Sequence, residues 1–243
     1  MPRIYTPQAL NTGLEIILEE QSSHHLAKVL RAKIGDELQL FNGDGLNWQS
    51  RITNIDKKHV RVTMLGSESN HSESPLKTHL AIAVSKGDRM DFVMQKATEL
   101  GINAITPLLS ERTEVKLNAE RLEKKQQHWQ QICIAACEQS GRSCIPTLHP
   151  LQHLRQWLVT LPSAENDSLK LLLHPHQNST PLPQKLQSVM LLIGPEGGFS
   201  EEEAQQALLA EFQPWQLGKR ILRTETAPLA ALSIVQHRWG DLG

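Results

Sequence analysis

Apolar positions fall into two rhythms along this chain. As far as about Leu65 they alternate with polar ones in short segments: Glu37 to Phe41, then Trp48, Ser50 and Ile52 against Gln49, Arg51 and Thr53, then Val60, Val62 and Met64. A period of two belongs to strands with one buried face, and Asn42-Gly43-Asp44-Gly45 between the first two segments is a hairpin-turn signal. The expectation is a small antiparallel sheet or barrel. One helical piece interrupts it, capped by Ser22 or Ser23, carrying His24, His25, Lys28 and Arg31, with Leu26, Val29 and Leu30 facing inward. Gly66 to Pro75 is polar, lacks apolar anchors and ends in proline, the composition of a linker. The pattern divides the chain into a domain over residues 1–66, a linker over 67–76 and a second domain over 77–243.

After the linker the apolar residues come in unbroken runs that alternate with helical stripes. Leu80 to Val84 reads as a strand, and Asp88 caps a helix whose Met90, Val93, Met94, Ala97 and Leu100 form one stripe before Gly101 stops it. Ile102 to Leu109 is the next strand. Asn118 then caps a long helix, with Leu122, Trp129, Ile132, Cys133, Ala136 and Cys137 inward and Gly141 as terminator. Leu169 to Leu173 and Val189 to Ile193 are further strands. Runs without alternation are buried on both faces, which means a parallel α/β sheet covered by helices.

The last of these strands ends in Gly194-Pro195-Glu196-Gly197-Gly198, and Ser200 with Glu203 forms a capping box that starts a helix bearing Ala204, Ala207, Leu208 and Phe212. Glycines in such a loop permit positive φ and let a ligand approach the backbone, and open parallel sheets bind ligands at the carboxyl ends of their strands. A ligand-free strand-to-helix turn is the alternative. No Gly-Lys-Ser/Thr follows and the Gly-x-Gly-x-x-Gly spacing is absent, so neither a phosphate loop nor a dinucleotide fold is indicated. Glu196 also repels phosphate and suits a cationic or hydrogen-bond-donating ligand. A second loop, Leu217-Gly218-Lys219-Arg220-Ile221-Leu222-Arg223-Thr224-Glu225-Thr226-Ala227, leads into a helix with Pro228 in its first turn and Thr226 as a plausible cap.

These two motifs, in this order, resemble the S-adenosylmethionine-binding loops of SPOUT methyltransferases, and over nearly its whole length the chain is similar to the bacterial 16S ribosomal RNA (uracil-N3)-methyltransferase family. The resemblance implies an N-terminal PUA-like β-barrel that helps hold RNA and a C-terminal SPOUT α/β parallel-sheet domain with a trefoil knot. Pattern alone implies an ordinary open sheet. Carried over by resemblance, the cofactor S-adenosyl-L-methionine contacts Leu172, Leu173 and His174, then Gly194, Pro195, Glu196, Gly197 and Gly198. The second loop adds Leu217, Gly218, Ile221, Leu222, Arg223, Thr224, Thr226 and Ala227. Transfer to N3 of a specific uridine requires loss of a proton, which a cation favours, and Arg223 is the candidate. A salt bridge to Glu225 or Glu196 that stiffens the loop is its other reading. Glu196 and Glu225 are candidates for proton acceptance or substrate positioning. Arg3, His25 and Arg31 in the first domain, with Lys86 and Arg112, are candidate RNA contacts, although Arg112 can equally pair with Glu111 or Glu114. The last helix, Leu229 to Val235, is apolar on almost every side and suits the homodimer interface of the family.

Composition adds mainly exclusions. With a formal net charge of −1 and a pI near 6.8, the chain as a whole carries no nucleic-acid signature, and any basic footprint is local. Lys28, Arg31, Lys33, Arg51, Lys57, Lys58 and Arg61 outnumber Asp36, Glu37, Asp44 and Asp56 over the same stretch, either as a solvated face or as a phosphate-contacting platform. Cys133, Cys137 and Cys144 form no even framework, no apolar signal segment opens the chain and no run reaches the roughly 20 residues of a membrane span, which points to the cytoplasm. Cys133 and Cys137 lie one turn apart on an apolar stripe and read as core; His174-Pro175-His176 has no third ligand at metal spacing, so no metal is expected. No Gly-x-Ser-x-Gly elbow or activated cysteine supports acyl transfer. Methylation of a ribose 2′-hydroxyl or another base nitrogen, and a non-catalytic RNA-binding assembly factor, are the competing functions.

Overall fold

The computed structural model describes residues 1–56, 58–113, 119–174 and 181–243. By internal contacts they form two units, residues 1–73 with 137–145, and residues 74–136 with 146–243. In the first unit β1 (Arg3–Tyr5), β2 (Glu15–Ile17), the short helix α1 (Glu20–His24), β3 (Glu37–Phe41), β4 (Leu46–Ile55) and β5 (Val60–Ser69) follow one another. The strands form one sheet in the order β1-β3-β4-β5-β2, antiparallel except where β1 runs beside β3. Trp48, Ser50 and Ile52 of β4 and Val60, Val62 and Met64 of β5 all face inward, as their alternation requires.

Two details of this unit correct the expectations. Ser22 and Ser23 do not cap a helix: the N-cap is Glu19, and Ser23 lies inside α1, buried, donating to Leu18 O and accepting from Val60 N. A single π turn, His25–Val29, follows α1 and rotates the stripe, so that Leu26 is buried while Val29 and Leu30 are 61% and 44% exposed. The linker also begins later than its polarity suggested. Residues 66–69 continue β5, because strand pairing needs only backbone groups. Beyond it, Asn70 donates to Gly141 O and Glu73 forms a two-pronged ion pair with the buried Arg142, so polar side chains anchor this stretch.

The second unit contains β6 (Lys77–Ala83), α2 (Arg89–Glu99), β7 (Ala104–Leu109), α3 (Ala119–Ser140) as far as Ala136, the two-residue strands β8 (Thr147–Leu148) and β9 (Gln152–His153), α4 (Leu154–Thr160), β10 (Ser168–Leu173), β11 (Ser188–Ile193), α5 (Glu201–Leu209), β12 (Gln213–Trp215) and α6 (Thr226–Trp239). Asn118, the expected cap of α3, lies outside the described residues. The sheet runs β12-β10-β11-β6-β7-β8, with β9 also on β7, and every pairing is parallel. Alternate residues of the apolar runs serve the two faces. Leu80, Ile82, Leu191 and Ile193 pack with Met90, Val93, Trp129, Ala231 and Leu232 of α2, α3 and α6, whereas Ala81, Leu172 and Leu192 pack with Trp157 and Ala207 of α4 and α5. Cys133 is a core residue, as its stripe implied. In α6, Ala231, Leu232 and Val235 are buried but Ile234 is exposed, so within one chain the helix is not covered all round.

His79 on β6 lies 2.8 Å by its Nε2 from Thr106 Oγ1 of β7, with the His149 ring 5.4 Å away. Burial, reinforced by His149, pushes its pKa down to about 4. An unfolded chain takes up this proton below about 6.5, the folded chain only below about 4, so stability is present above pH 6.5 and is lost as the pH falls through that window. His79→Gln should remove about 2 kcal/mol of the difference in stability between pH 7 and pH 4. Urea unfolding across that range reads it, and an unchanged slope would place the titrating group elsewhere.

Candidate active site

The carboxyl ends of β10 and β11 and the segment after β12 enclose a cleft of about 720 Å³. Leu173, Ile193, Trp215, Leu217, Leu222 and Ala227 give it an apolar wall. Gly194, Pro195, Glu196, Gly197 and Gly198 form one rim, and Gly218, Ile221, Arg223 and Thr224 the other. His174 also lines it, and its backbone N–H donates to Trp215 O at 3.2 Å, joining the end of β10 to β12.

The glycines are needed for different reasons. A Cβ on Gly194 would stand 3.2 Å from the Phe199 ring and 3.3 Å from the Phe199 N, so a side chain there would push the ring and loop aside by a few tenths of an ångström. Gly198 sits at φ +67°, closing a turn by its N–H to Pro195 O at 2.8 Å. The capping box expected at α5 is formed. Ser200 Oγ accepts from Glu203 N at 3.3 Å and Glu203 Oε2 from Ser200 N at 3.1 Å. The other oxygen of this buried carboxylate accepts the Glu111 N–H at 2.7 Å, which ties the loop after β7 to the loop after β11. Arg112 adds a second tie, its Nη1 donating to Gly197 O at 2.8 Å.

Charge across the cleft is organised by a residue the sequence reading passed over. Arg89, the first residue of α2, bonds Glu196 through Nη1 and stands 3.7 Å by Nε from Glu225 Oε2, so one guanidinium faces a carboxylate from each glycine loop. Arg223 reaches Glu225 at 4.0 Å, and its side chain is 78% exposed. A second cavity, of about 1050 Å³, adjoins the cleft and shares Arg89, Arg112, Glu196 and Gly197 with it. Lys86, Phe92 and Glu225 line this second space.

Most of the residues expected at the cofactor therefore meet in one place, with two exceptions. Leu172 is fully buried among Ala207 and Phe212 beneath the sheet, because alternation turns it away from the cleft that Leu173 lines. Thr226 is exposed as the first residue of α6, and Glu225 takes the N-cap position without a side-chain cap bond. Arg112 and Lys86 lie at the cavities, but Arg3 does not present itself to a phosphate. Its guanidinium donates to Gln39, Asn47, Arg142 O and Ser143 and lies over the Phe41 ring, so it braces the first unit. His25 and Arg31 are exposed. Arg89, Phe199, Trp215 and Arg220 line the cleft unforeseen; only Arg89, directly after a Lys-Gly-Asp loop at a strand end, carried a signal.

Residues 72–236 match the family model of an RNA methyltransferase domain, and residues 18–65 that of an RNA methyltransferase PUA domain. The chain is similar to ribosomal RNA small subunit methyltransferase E of Buchnera aphidicola subsp. Schizaphis graminum, with 38% identity over 100% of this chain and 98% of the relative. The protein of that name from Bacillus subtilis is 30% identical, with 96% and 94% covered. Among solved structures, ribosomal RNA small subunit methyltransferase E of Neisseria gonorrhoeae, bound to S-adenosyl methionine, aligns with a TM-score of 0.92 and 40% identity over 100% of both chains. A methyltransferase from Legionella pneumophila, in complex with the cofactor SAM, gives a TM-score of 0.93 and 44% identity over 99% of this chain and 98% of the other.

The Glu203 carboxylate is the test of how the two loops are held. Glu203→Ala leaves the Ser200 and Glu111 N–H groups without their partner and should lower unfolding free energy by about 2–3 kcal/mol. Glu203→Gln keeps one acceptor and should lose about half as much. Denaturant titration distinguishes them; a loss of only a few tenths for Glu203→Ala would mean that the loops are held by other contacts.

Proposed function

The chain belongs to the RNA methyltransferase family, and on that premise we propose that it is an S-adenosylmethionine-dependent enzyme methylating N3 of a specific uridine in 16S ribosomal RNA of the small subunit. The observation that carries the reading is that the two glycine loops close one cleft with an apolar wall, with Glu196 on its rim and Arg89, Arg112, Arg220 and Arg223 around it. That cleft fits the cofactor chemically. Leu173, Ile193, Trp215 and Leu222 suit a flat apolar base, the loop backbones bared at Gly194, Gly197 and Gly218 admit close contact with its polar edges, and Glu196 suits positive charge. When bound, S-adenosylmethionine supplies an electrophilic methyl carried on a sulfonium.

The chain's own residues then have three tasks. Arg223, on the cleft rim and largely exposed, is placed to meet the base and favour the anion left when the N3 proton departs. Glu225, between Arg89 and Arg223, is the proton acceptor or positions the base, and Glu196 shares those roles from the other loop. The loops exclude water and hold the reacting partners in line. N3 lies on the Watson–Crick edge, so the target uridine is unpaired or extruded.

The N-terminal sheet, closed as a PUA-like barrel, holds RNA. Arg31 supports this, because it is exposed and sits at φ +53°, a left-handed conformation for which glycine is cheaper. The knot is supported by chain order, since β12 lies beyond β10 whereas the next element, α6, packs back on β11 and α2. The exposed Ile234 in the apolar Leu229 to Val235 stretch of α6 supports a homodimer, and a ribosomal RNA substrate supports a cytoplasmic enzyme.

Nucleoside digestion of methylated ribosomal RNA with mass spectrometry decides the reaction: N3-methyluridine is expected, and a 2′-O-methyl product would replace this reading with the ribose one. Arg223→Ala should lower single-turnover methylation by roughly 100-fold with little change in calorimetric cofactor affinity, the scale of losing one preorganised stabilising donor. A near-normal rate would shift the role to Arg89 or Arg112. Arg31→Gly should leave folding stability unchanged or slightly raised and reduce the slope of log binding against log salt by roughly 0.7–0.9. An unchanged slope would make the N-terminal patch merely solvated.

A further inference from the structure

We propose that the second cavity receives the acceptor nucleotide, extruded from the RNA, with its base laid against Phe92; this rests on the RNA-methylation reading above. A transfer between two bound molecules needs two sites with a common wall. The cleft and the second cavity have one, made of Arg89, Arg112, Glu196 and Gly197. The second cavity also opens at the carboxyl ends of β6, β7 and β11, where an open parallel sheet receives ligands.

Phe92 is the unexplained residue of this space. Met90, Val93 and Met94 around it on α2 are fully buried, yet Phe92 is 45% exposed, lines the cavity and among the described residues joins none of the core clusters. Phe92 offers a ring on which a base can stack, and Lys86, Arg89 and Arg112 stand beside it among four carboxylates, Asp88, Glu111, Glu196 and Glu225, so the cavity suits an uncharged base more than a phosphate. The shared wall matches a uracil edge. That edge presents an N–H between two carbonyls, and the wall offers guanidinium donors in Arg89 and Arg112 with a carboxylate acceptor in Glu196.

The test compares Phe92→Ala and Phe92→Trp with the parent by three measurements. They are the RNA concentration for half-maximal single-turnover methylation, cofactor affinity by calorimetry, and mass by light scattering. Phe92→Ala should raise the half-saturating RNA concentration about 10-fold or more, within the range for losing one base–aromatic stack. Phe92→Trp should stay within about two-fold of the parent, with cofactor affinity and mass unchanged in both. Unchanged RNA half-saturation in Phe92→Ala overturns the proposal. So does a change in mass, which would make Phe92 part of a contact with a second copy, or a loss of cofactor affinity, which would make it a brace of the cleft. The product nucleoside separates this from the wider reading. If it is not N3-methyluridine the uridine assignment fails while the Phe92 comparison still reads the pocket, and if it is, normal Phe92→Ala kinetics removes the pocket alone.

Discussion

In a wholly parallel sheet every strand ends at the same edge, so the loops after β6, β7, β10 and β11 are forced together there. The sheet cannot satisfy the polar groups of those loops, and they satisfy one another instead. Glu203 accepts the Glu111 N–H, Arg112 donates to Gly197 O and the His174 N–H to Trp215 O, each bond joining segments far apart in the chain. Buried donors and acceptors left without partners cost about 1–3 kcal/mol apiece, so the convergence that creates the cleft also dictates its cross-links. Glycine supplies what cross-linking alone does not, a backbone that passes close to Phe199 at Gly194 and turns sharply at Gly198.

Charge follows a second constraint. Two carboxylates brought to one rim, Glu196 and Glu225, repel each other, and Arg89 stands between them. Its side chain is half-exposed, and ion pairs in such surroundings contribute about 0–1 kcal/mol, so the arrangement does little for stability. Its consequence is geometric. A planar guanidinium with several donors fixes two acceptors relative to one another in a way that an ammonium does not. Arg112 and Arg220 line the cleft as well, so beyond the Arg89 pairing its charge is net positive.

Legibility in the sequence tracks the range of the interaction. Val189 to Ile193 and Leu80 to Val84 were readable because burial on both faces writes itself into adjacent positions, and the Ser200–Glu203 box because its partners are three residues apart. Alternation likewise exposed β4 and β5. β12 escaped notice because Gln213-Pro214-Trp215 is too short to show a period and contains a proline, tolerated on this edge strand. The π turn after α1 escaped because one extra residue per turn leaves no compositional trace, and Val29 and Leu30 were consequently turned the wrong way. Arg89 was missed for a different reason. Its place after the Lys-Gly-Asp loop at a strand end marks it as a residue near the site, but its partners Glu196 and Glu225 are 107 and 136 positions away, and no local pattern names a contact at that distance.

The path of the chain explains how an exposed cation can still be held in place. From β11 it passes through α5 to β12, beyond β10 at the sheet edge, and then returns to lay α6 on β11 and α2. The loop over residues 217–225 is therefore fixed at one end by Trp215 in the core and at the other by Ala231 and Leu232, fully buried. Inside it the Arg223 carbonyl accepts the N–H groups of Thr226 and Ala227, both at 2.9 Å, which locks the backbone where α6 begins. Burial of a charge is expensive, whereas burial of the backbone that carries it is not once its hydrogen bonds are made. The structure places rigidity in the main chain and leaves the guanidinium in water at the rim, 4.0 Å from Glu225.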